Sequence, residues 1–251
     1  GEDFSIMRTV SINGILNSLA TNYNRRNESA GLFELAKVYI PESLPLVELP
    51  HEIPTLTMGM YGNMDFYDMK GIVEHLMNVL GMTAVAEYLP EKELSWMHPG
   101  RTASVVVNGD KVGYLGELHP AVAKNYDIGT RAYLAVMDME KLTQYANRSV
   151  VYKALPKFPA ITRDIAMLVK EDVTVKEIAD IIKANGGAYL EEVKLFDVYQ
   201  GAQIEAGHKS VAYSIAFRSA DKTLSDADIA DAMDAMLKEL AEKLGAQLRD
   251  K

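Results

Sequence analysis

The chain has 251 residues, of which 48% are hydrophobic and 24% charged, a composition ordinary for one or two globular domains. Its formal net charge of −9 argues against a general nucleic-acid coat, which would need a basic surface. Because the chain contains no cysteine, disulfides and thiolate metal sites are excluded. No apolar run approaches the ~20 residues that cross a bilayer, so we expect no membrane partner and a cytoplasmic location.

The first residues, Gly-Glu-Asp-Phe, form neither a signal peptide nor a natural initiation site. We interpret Gly1 as the scar of a cut or a tag. The sequence is therefore expected to be a fragment of a longer protein.

The first half of the chain predicts a mixed α/β domain. Over residues 11–23 apolar side chains recur at i, i+3, i+4 and i+7, which predicts an amphipathic helix. Residues 41–54 contain several prolines and predict a loop. The same patterns predict strands over residues 32–40, 56–61, 102–107, 111–118 and 132–138, and helices over residues 66–80 and 139–145.

Two histidines, His98 and His119, lie at the ends of a predicted hairpin whose turn is Asn-Gly-Asp. They suggest a metal site, but they are 21 residues apart with no third ligand at a fixed spacing. Each is followed by proline, so we predict two His-Pro turns and no metal. Arg101 and Glu117 could form an ion pair beside them.

The second half begins with a rigid double-proline segment, Pro156 and Pro159, that leads into a strand. Thr174 with Glu177 forms a capping box before a helix, and Ser225 caps a second helix. The resulting order, β-α-β-β-α-β, is that of a ferredoxin-like domain. Its strands are predicted over residues 164–169, 190–199, 210–218 and 246–249.

Large and small side chains alternate along the third of these strands, and successive strand residues point to opposite faces of a sheet. We expect the bulky set to face the helices and the small set to form an open face. The bulky set is Val211, Tyr213, Ile215 and Phe217, and the other set is Ala212, Ser214, Ala216 and Arg218.

Several segments resemble one family, the β subunit of bacterial phenylalanyl-tRNA synthetase. Three segments resemble the C-terminal anticodon-binding domain of that family. They are PKFPAITRDIAMLV (156–169), LFDVYQG (195–201) and KSVAYSIAFRSADKTLSDADI (209–229). A preceding domain, in which the class II synthetase fold is retained without its catalytic motifs, resembles residues 7–39 and FYDMKGIVEHLMNVLG (66–81). The resemblance runs from about Ser5 to Arg249.

This resemblance implies an α+β protein with two domains. Residues 1–150 would form a noncatalytic, degenerate class II synthetase-like antiparallel-sheet domain, and residues 156–251 a ferredoxin-like anticodon-binding domain. The implied partners are tRNA(Phe) and the α subunit, in a heterotetramer of two α and two β chains. ATP and Mg²⁺ would be used by the holoenzyme, and no cofactor or catalytic residue is expected in this fragment.

The implied RNA-binding residues lie in the second half. Arg and Lys carry most phosphate contacts in nucleic-acid complexes, and aromatic side chains stack on bases. The candidates for phosphate or base contacts are Lys157, Arg163, Lys194, Lys209 and Arg218, and those for stacking are Phe196 and Tyr199.

The first helix is expected to dock on the α subunit, or on a second copy of the chain, through its apolar face. Two other functions remain open at this stage. An amino-acid-sensing ACT-like domain shares the same strand order, although its ligand loop usually contains glycine and residues 170–173 here do not. A purely structural assembly module is the other alternative. The apolar face of the first helix consists of Ile12, Ile15, Leu16 and Leu19.

Overall fold

The computed structural model describes residues 5–82, 86–147, 149, 152, 154–201 and 203–249. The chain divides into two compact units, Gly1–Val151 and Tyr152–Lys251. The prediction that Gly1 is the scar of a cut or a tag concerns a residue outside the described ranges. None of the helices in these ranges combines the length and the apolar character needed to cross a membrane.

The first unit is built on a six-stranded antiparallel sheet with the strand order β1-β2-β6-β5-β4-β3. Its helices and strands confirm the predicted α+β class. In chain order they are α1 (Ile12–Asn24), β1 (Ala30–Ile40), β2 (His51–Tyr61), α2 (Phe66–Val79), β3 (Glu87–Pro90), β4 (Met97–Val107), β5 (Asp110–Leu118), α3 (Pro120–Asn125), β6 (Ala132–Asp138) and α4 (Met139–Tyr145).

Local sequence signals fix several of these elements. Asn108 and Gly109 both have positive φ, 50° and 87°, as the tight turn between β4 and β5 requires. Asp65 caps α2 by accepting hydrogen bonds from the backbone N–H groups of Tyr67 at 2.7 Å and Asp68 at 3.1 Å. The Asn-Gly turn and the aspartate cap thus set the register of the hairpin and the start of the helix.

The predicted loop over residues 41–54 is shorter in the structure, because β2 already begins at His51. Pro54 lies opposite Lys37 of β1, while the pairing of β2 with β6 starts only at Thr55. At Pro54 the strand therefore has one neighbour, a position at which a residue without an N–H group is tolerated. The short elements β3 and α3 were not predicted, since four and six residues are too few to show a period.

The expectation that α1 docks on another chain is wrong, because its apolar face packs against the sheet of its own unit. Ile12, Ile15, Leu16 and Leu19 are no more than 6% exposed. The helix comes close to the sheet at Gly59, where an added Cβ would collide with Ile15 and lie 2.9 Å from Leu19. Helical periodicity identified the buried face but could not show which surface covers it.

The second unit confirms the predicted β-α-β-β-α-β order. Its antiparallel sheet has the strand order β10-β7-β9-β8. The capping box of Thr174 and Glu177 is present, and Gly245 ends the last helix with a φ of 63°. The elements are β7 (Ile161–Lys170), α5 (Val175–Asn185), β8 (Leu190–Tyr199), β9 (His208–Phe217), α6 (Asp226–Leu244) and β10 (Gln247–Leu248).

The close approach of α1 to β2 generates a stability prediction. Gly59→Ala should lower the free energy of unfolding by about 1–3 kcal/mol, the usual cost of overpacking a filled core. Gly31→Ala, on the adjacent strand β1, is the matched control because nothing lies within 4 Å of its added Cβ. Urea denaturation of both variants measures the difference. Equal midpoints for the two variants would show that α1 does not pack closely at Gly59.

Candidate nucleic-acid interface

The sheet of the second unit has one face covered by helices and one open face. The predicted covered set on β9 is confirmed: Val211, Tyr213, Ile215 and Phe217 are no more than 2% exposed. Residues directly opposite each other in antiparallel strands share a face. Thr162, Asp164, Ala166 and Leu168 of β7 therefore join Ser210, Ala212, Ser214 and Ala216 of β9 on the open face.

Strand β8 forms one edge of this face and carries three of the predicted RNA-binding residues. Lys194 lies opposite Ser214, and Tyr199 lies opposite Ser210, so both belong to the open face. A register shift between Leu195 and Asp197 leaves Phe196 as the extra residue of a bulge. Phe196 is 54% exposed and Tyr199 is 40% exposed, so both rings are accessible to a base.

Two predicted cations are exposed without an ion pair to any residue that the structure describes. They are Lys157, in the double-proline segment, and Lys194, on β8. The ammonium group of a lysine that pairs with no carboxylate keeps its full charge available to attract a phosphate. Of the five predicted cations, Lys157 and Lys194 are therefore the two that are exposed and that no described carboxylate neutralises, and their phosphate contacts remain predictions.

Arg218 has an internal role in the unit. Its Nε donates to both carboxylate oxygens of Glu191 at 2.9 Å, and its Nη1 donates to the carbonyl of Phe158 at 2.6 Å. The side chain thereby connects the end of β9 to the double-proline segment. Its predicted RNA contact would have to use the donors that remain.

Arg163 and Lys209 lie opposite Ile215 and Val169, which places both on the side of the sheet that faces the helices. Arg163 forms an ion pair with Asp226 in the first turn of α6. Lys209 donates from Nζ to the backbone carbonyl of Glu171 at 2.8 Å. The structure thus separates these two cations from Lys194, and their RNA contacts remain predictions.

Sequence reasoning missed Arg249, which extends the open face beyond β10. Its backbone N–H donates to the carbonyl of Ala166 at 2.9 Å, and its Nη1 donates to the hydroxyl of Ser210 at 3.2 Å. The alternation of the last predicted strand, residues 246–249, would have put Gln247 and Arg249 on one face. That signal is weak because two-residue strands show almost no pattern.

Charges of both signs flank the small residues at the centre of the open face. Strand pairing places three cations and three anions there, so no excess positive charge is concentrated on it. An RNA would have to be held by individually positioned groups. The cations are Lys170, Lys194 and Arg249, and the anions are Asp164, Glu192 and Asp197.

Polar groups on the covered side hold the two helices in place. The hydroxyl of Tyr213 donates to the carbonyl of Val175 at 2.6 Å, and burial raises the pKa of this phenol. Asp228 accepts from Lys222 and from Ser225, contacts that hold the pKa of its carboxyl well below its ordinary value. The Tyr213 contact joins the first turn of α5 to β9, whereas the Asp228 contacts are local and fix the start of α6.

The two histidines that precede proline in the first unit, His98 and His119, each close a turn. His98 Nδ1 accepts from the N–H of Gly100 at 3.1 Å, and His119 Nδ1 accepts from the N–H of Ala121 at 3.1 Å. The described residues contain no group of three or more side chains suited to hold a metal ion. The predicted pair of Arg101 and Glu117 is confirmed, with Nη1 at 3.0 and 3.1 Å from the two carboxylate oxygens.

The two units define an α+β protein in which an antiparallel-sheet domain precedes a ferredoxin-like domain with an open sheet face. Residues 1–139 match the family described as phenylalanyl tRNA synthetase beta chain CLM domain. Residues 156–249 match the family described as ferredoxin-fold anticodon binding domain. The chain belongs to the phenylalanyl-tRNA synthetase beta chain family, which confirms the resemblance seen in the quoted segments.

Similar proteins carry the same family name. The chain is 46% identical over 249 residues to the phenylalanine–tRNA ligase beta subunit of Clostridium acetobutylicum, with 99% of this chain and 31% of that protein covered. For the same subunit of Clostridium tetani the identity is 47% with equal coverage. The Streptococcus thermophilus subunit is 38% identical over 259 residues, with 98% and 32% covered. The chain thus spans about a third of the length of these relatives.

Among solved structures, pyrrolysyl-tRNA synthetase from Desulfitobacterium hafniense is similar over 58% of this chain and 55% of that chain. The TM-score is 0.45 and the sequence identity is 15%. A similarity of this extent does not establish a common fold.

The contacts of the two arginines generate a prediction about stability. Arg218→Ala should lower the free energy of unfolding of the second unit by about 1–2 kcal/mol, because it removes hydrogen bonds to a charged group and to a carbonyl. Arg163→Ala should cost less than about 1 kcal/mol, since an exposed ion pair contributes little. Guanidinium denaturation followed by tyrosine fluorescence compares the two variants. A larger loss for Arg163→Ala would contradict the assigned roles.

Proposed function

We propose that the chain is the part of a phenylalanine–tRNA ligase β subunit that contributes tRNA binding and subunit assembly to the ATP-dependent attachment of phenylalanine to tRNA(Phe). The observation that carries the proposal is the anticodon-binding family match over residues 156–249, on a unit whose sheet has an open face. In this proposal residues 1–150 form the noncatalytic class II-like domain, and residues 156–251 form the anticodon-binding domain.

In this proposal the chain and the other parts of a cytoplasmic holoenzyme have different functions. The α subunit carries amino-acid activation, with ATP and Mg²⁺, in a heterotetramer of two α and two β chains. The chain described here would hold the RNA and contribute to assembly, and it has no catalytic role of its own. The names of its relatives support this assignment, because each is a phenylalanine–tRNA ligase beta subunit.

RNA recognition in this proposal is local and does not rest on a general positive field. Lys157, in the double-proline segment, and Lys194, on the open face, would contact backbone phosphates, and Arg249 would join Lys194 on that face. Phe196 and Tyr199, at the exposed edge strand, would stack on bases, an interaction that contributes about 1–3 kcal/mol per base. Ser210 and Ala212, at the centre of the face, are only 5% and 6% exposed, so an RNA would meet the larger side chains around them first.

This arrangement predicts a measurable change in salt dependence. The Lys157→Ala/Lys194→Ala double variant should reduce the magnitude of the log–log slope of tRNA(Phe) affinity against salt by about 1.4–1.8, since each phosphate contact contributes about 0.7–0.9. Fluorescence anisotropy of labelled tRNA(Phe) over a series of salt concentrations gives the slope. The matched control is Lys183→Ala/Lys238→Ala, which removes two lysines from helices α5 and α6.

Equal slopes for the two double variants would contradict the proposed phosphate contacts. If tRNA did not bind at all while the chain still assembled with the α subunit, the purely structural role would be favoured instead.

Assembly with the α subunit needs an exposed apolar surface, and β1 provides one. This strand lies at the edge of its sheet, with β2 as its strand neighbour. Phe33 is 76% exposed and Leu35 is 62% exposed, and both point to the side opposite α1. We assign the docking role to this strand face in place of the buried face of α1.

A co-purification experiment tests this assignment. Phe33→Ser/Leu35→Ser should lower recovery of the α subunit at least tenfold, since the loss of two buried apolar side chains at an interface costs several kcal/mol. The melting temperature should stay unchanged because both side chains are exposed. Val79→Ser, which removes a side chain 71% exposed on α2, is the control. Full recovery with the double variant would place the interface elsewhere.

A further inference from the structure

A cavity of about 670 Å³ lies in the first unit, at the end of the sheet where β5 ends and β6 begins. The α3 helix and the loop after it form one wall. The polar residues that line the cavity are Arg101, Glu117, Lys124, Asp127, Thr130 and Arg131. The proposed function does not use any of these residues.

A buried carboxylate organises the arginines in this cavity. Glu117 is 3% exposed and accepts two hydrogen bonds from Nη1 of Arg101, at 3.0 and 3.1 Å. Its other neighbour is Arg131, whose Nε lies 3.9 Å away. Because an isolated buried charge is costly, the carboxylate holds the Arg101 guanidinium by hydrogen bonds, and the Arg131 guanidinium lies within ion-pair distance of it. The cavity is thus built around a fixed ion-pair network.

The arginines keep donors for a further acceptor. A guanidinium has five N–H donors, and Glu117 receives those of one nitrogen of Arg101. The 3.9 Å separation from Arg131 is an ion pair without a hydrogen bond, and the Arg131 side chain is 66% exposed. Glu117 accepts its side-chain hydrogen bonds from Arg101, and the Arg131 guanidinium, which lines the cavity, donates a hydrogen bond to none of the described residues.

The charge of the cavity lining differs in sign from that of the chain. Three cations, Arg101, Lys124 and Arg131, outnumber two anions, Glu117 and Asp127, whereas the whole chain has a formal charge of −9. Lys124 has no ion pair with any residue in the described part of the chain. Three cations less two anions leave the lining with a net charge of +1, and among the described residues Lys124 is the lining cation that no carboxylate pairs with.

We propose that this cavity binds a phosphate group of a nucleotide or an RNA. A guanidinium fork matches the oxygens of phosphate, and lysine adds a point charge beside it. The Thr130 hydroxyl supplies a neutral donor on the same wall. The volume exceeds that of a single anion, so the phosphate belongs to a larger molecule. The site lies in the first unit and uses none of the residues proposed to bind RNA in the second.

Titration calorimetry on the whole chain tests the site with three probes: inorganic pyrophosphate, ATP and a single-stranded 12-nucleotide RNA. We expect at least one probe to bind with a Kd of about 1 mM or tighter. Lys124→Ala/Arg131→Ala should weaken that binding at least tenfold. Arg25→Ala/Lys37→Ala, two cations of the same unit outside the cavity lining, is the matched control and should bind like the parent chain.

The pattern across probes identifies the source of the phosphate. Binding of pyrophosphate or ATP that is lost in the cavity variant assigns a free nucleotide, and binding of RNA alone that is weakened in it assigns an RNA backbone. If the double variant melts at a lower temperature than the parent, Arg131→Gln, at an exposed position, replaces it. The proposal is overturned if no probe binds, or if cavity and control variants bind equally.

Discussion

The alternation of large and small side chains along β9 is the constraint on which the second unit depends. Its four bulky residues are fully packed against the helices, and each such burial contributes about 1.5–3 kcal/mol. Because strand side chains have a period of two, a slip of one residue would move this set to the other face and dismantle the core. The small-residue face is therefore fixed by the same strand register that fixes the core. Packing of the core thus determines which side chains a molecule bound to that face would contact.

Two kinds of cation serve different purposes in this unit. Arg163 and Arg218 are engaged with carboxylates and backbone carbonyls, because a planar fork of donors suits such fixed positions. The lysines at positions 157 and 194 remain exposed on flexible stems. A protein with an overall negative charge thus leaves two exposed lysines without an ion pair among its described residues and uses two arginines to maintain its own structure.

Much of the fold followed from local signals in the sequence. The capping box at Thr174 and the Asn-Gly turn act through contacts between near neighbours, so their residues alone predict them. What could not be predicted depends on residues distant in the chain: the partner of the apolar face of α1, the carbonyl that Arg218 contacts, and the extension of β2 through Pro54. For the candidate site, the sequence predicted the β-α-β-β-α-β order and the two faces of β9. It could not predict on which side of the sheet each cation lies, because that depends on how the strands are paired in register.

The strand order of the second unit also bears on how it folds. Its two central strands, β7 and β9, come from distant parts of the chain, with α5 and β8 between them. The β8–β9 hairpin is a local contact and can form first. Pairing of β7 with β9 closes a longer loop, which contains α5 and β8, and therefore costs more conformational entropy. The outer edge of β7 then stays unpaired until β10 has been synthesised and has docked. During translation this edge is a template for pairing with other chains, and β10 removes the part of the template at Met167 and Leu168.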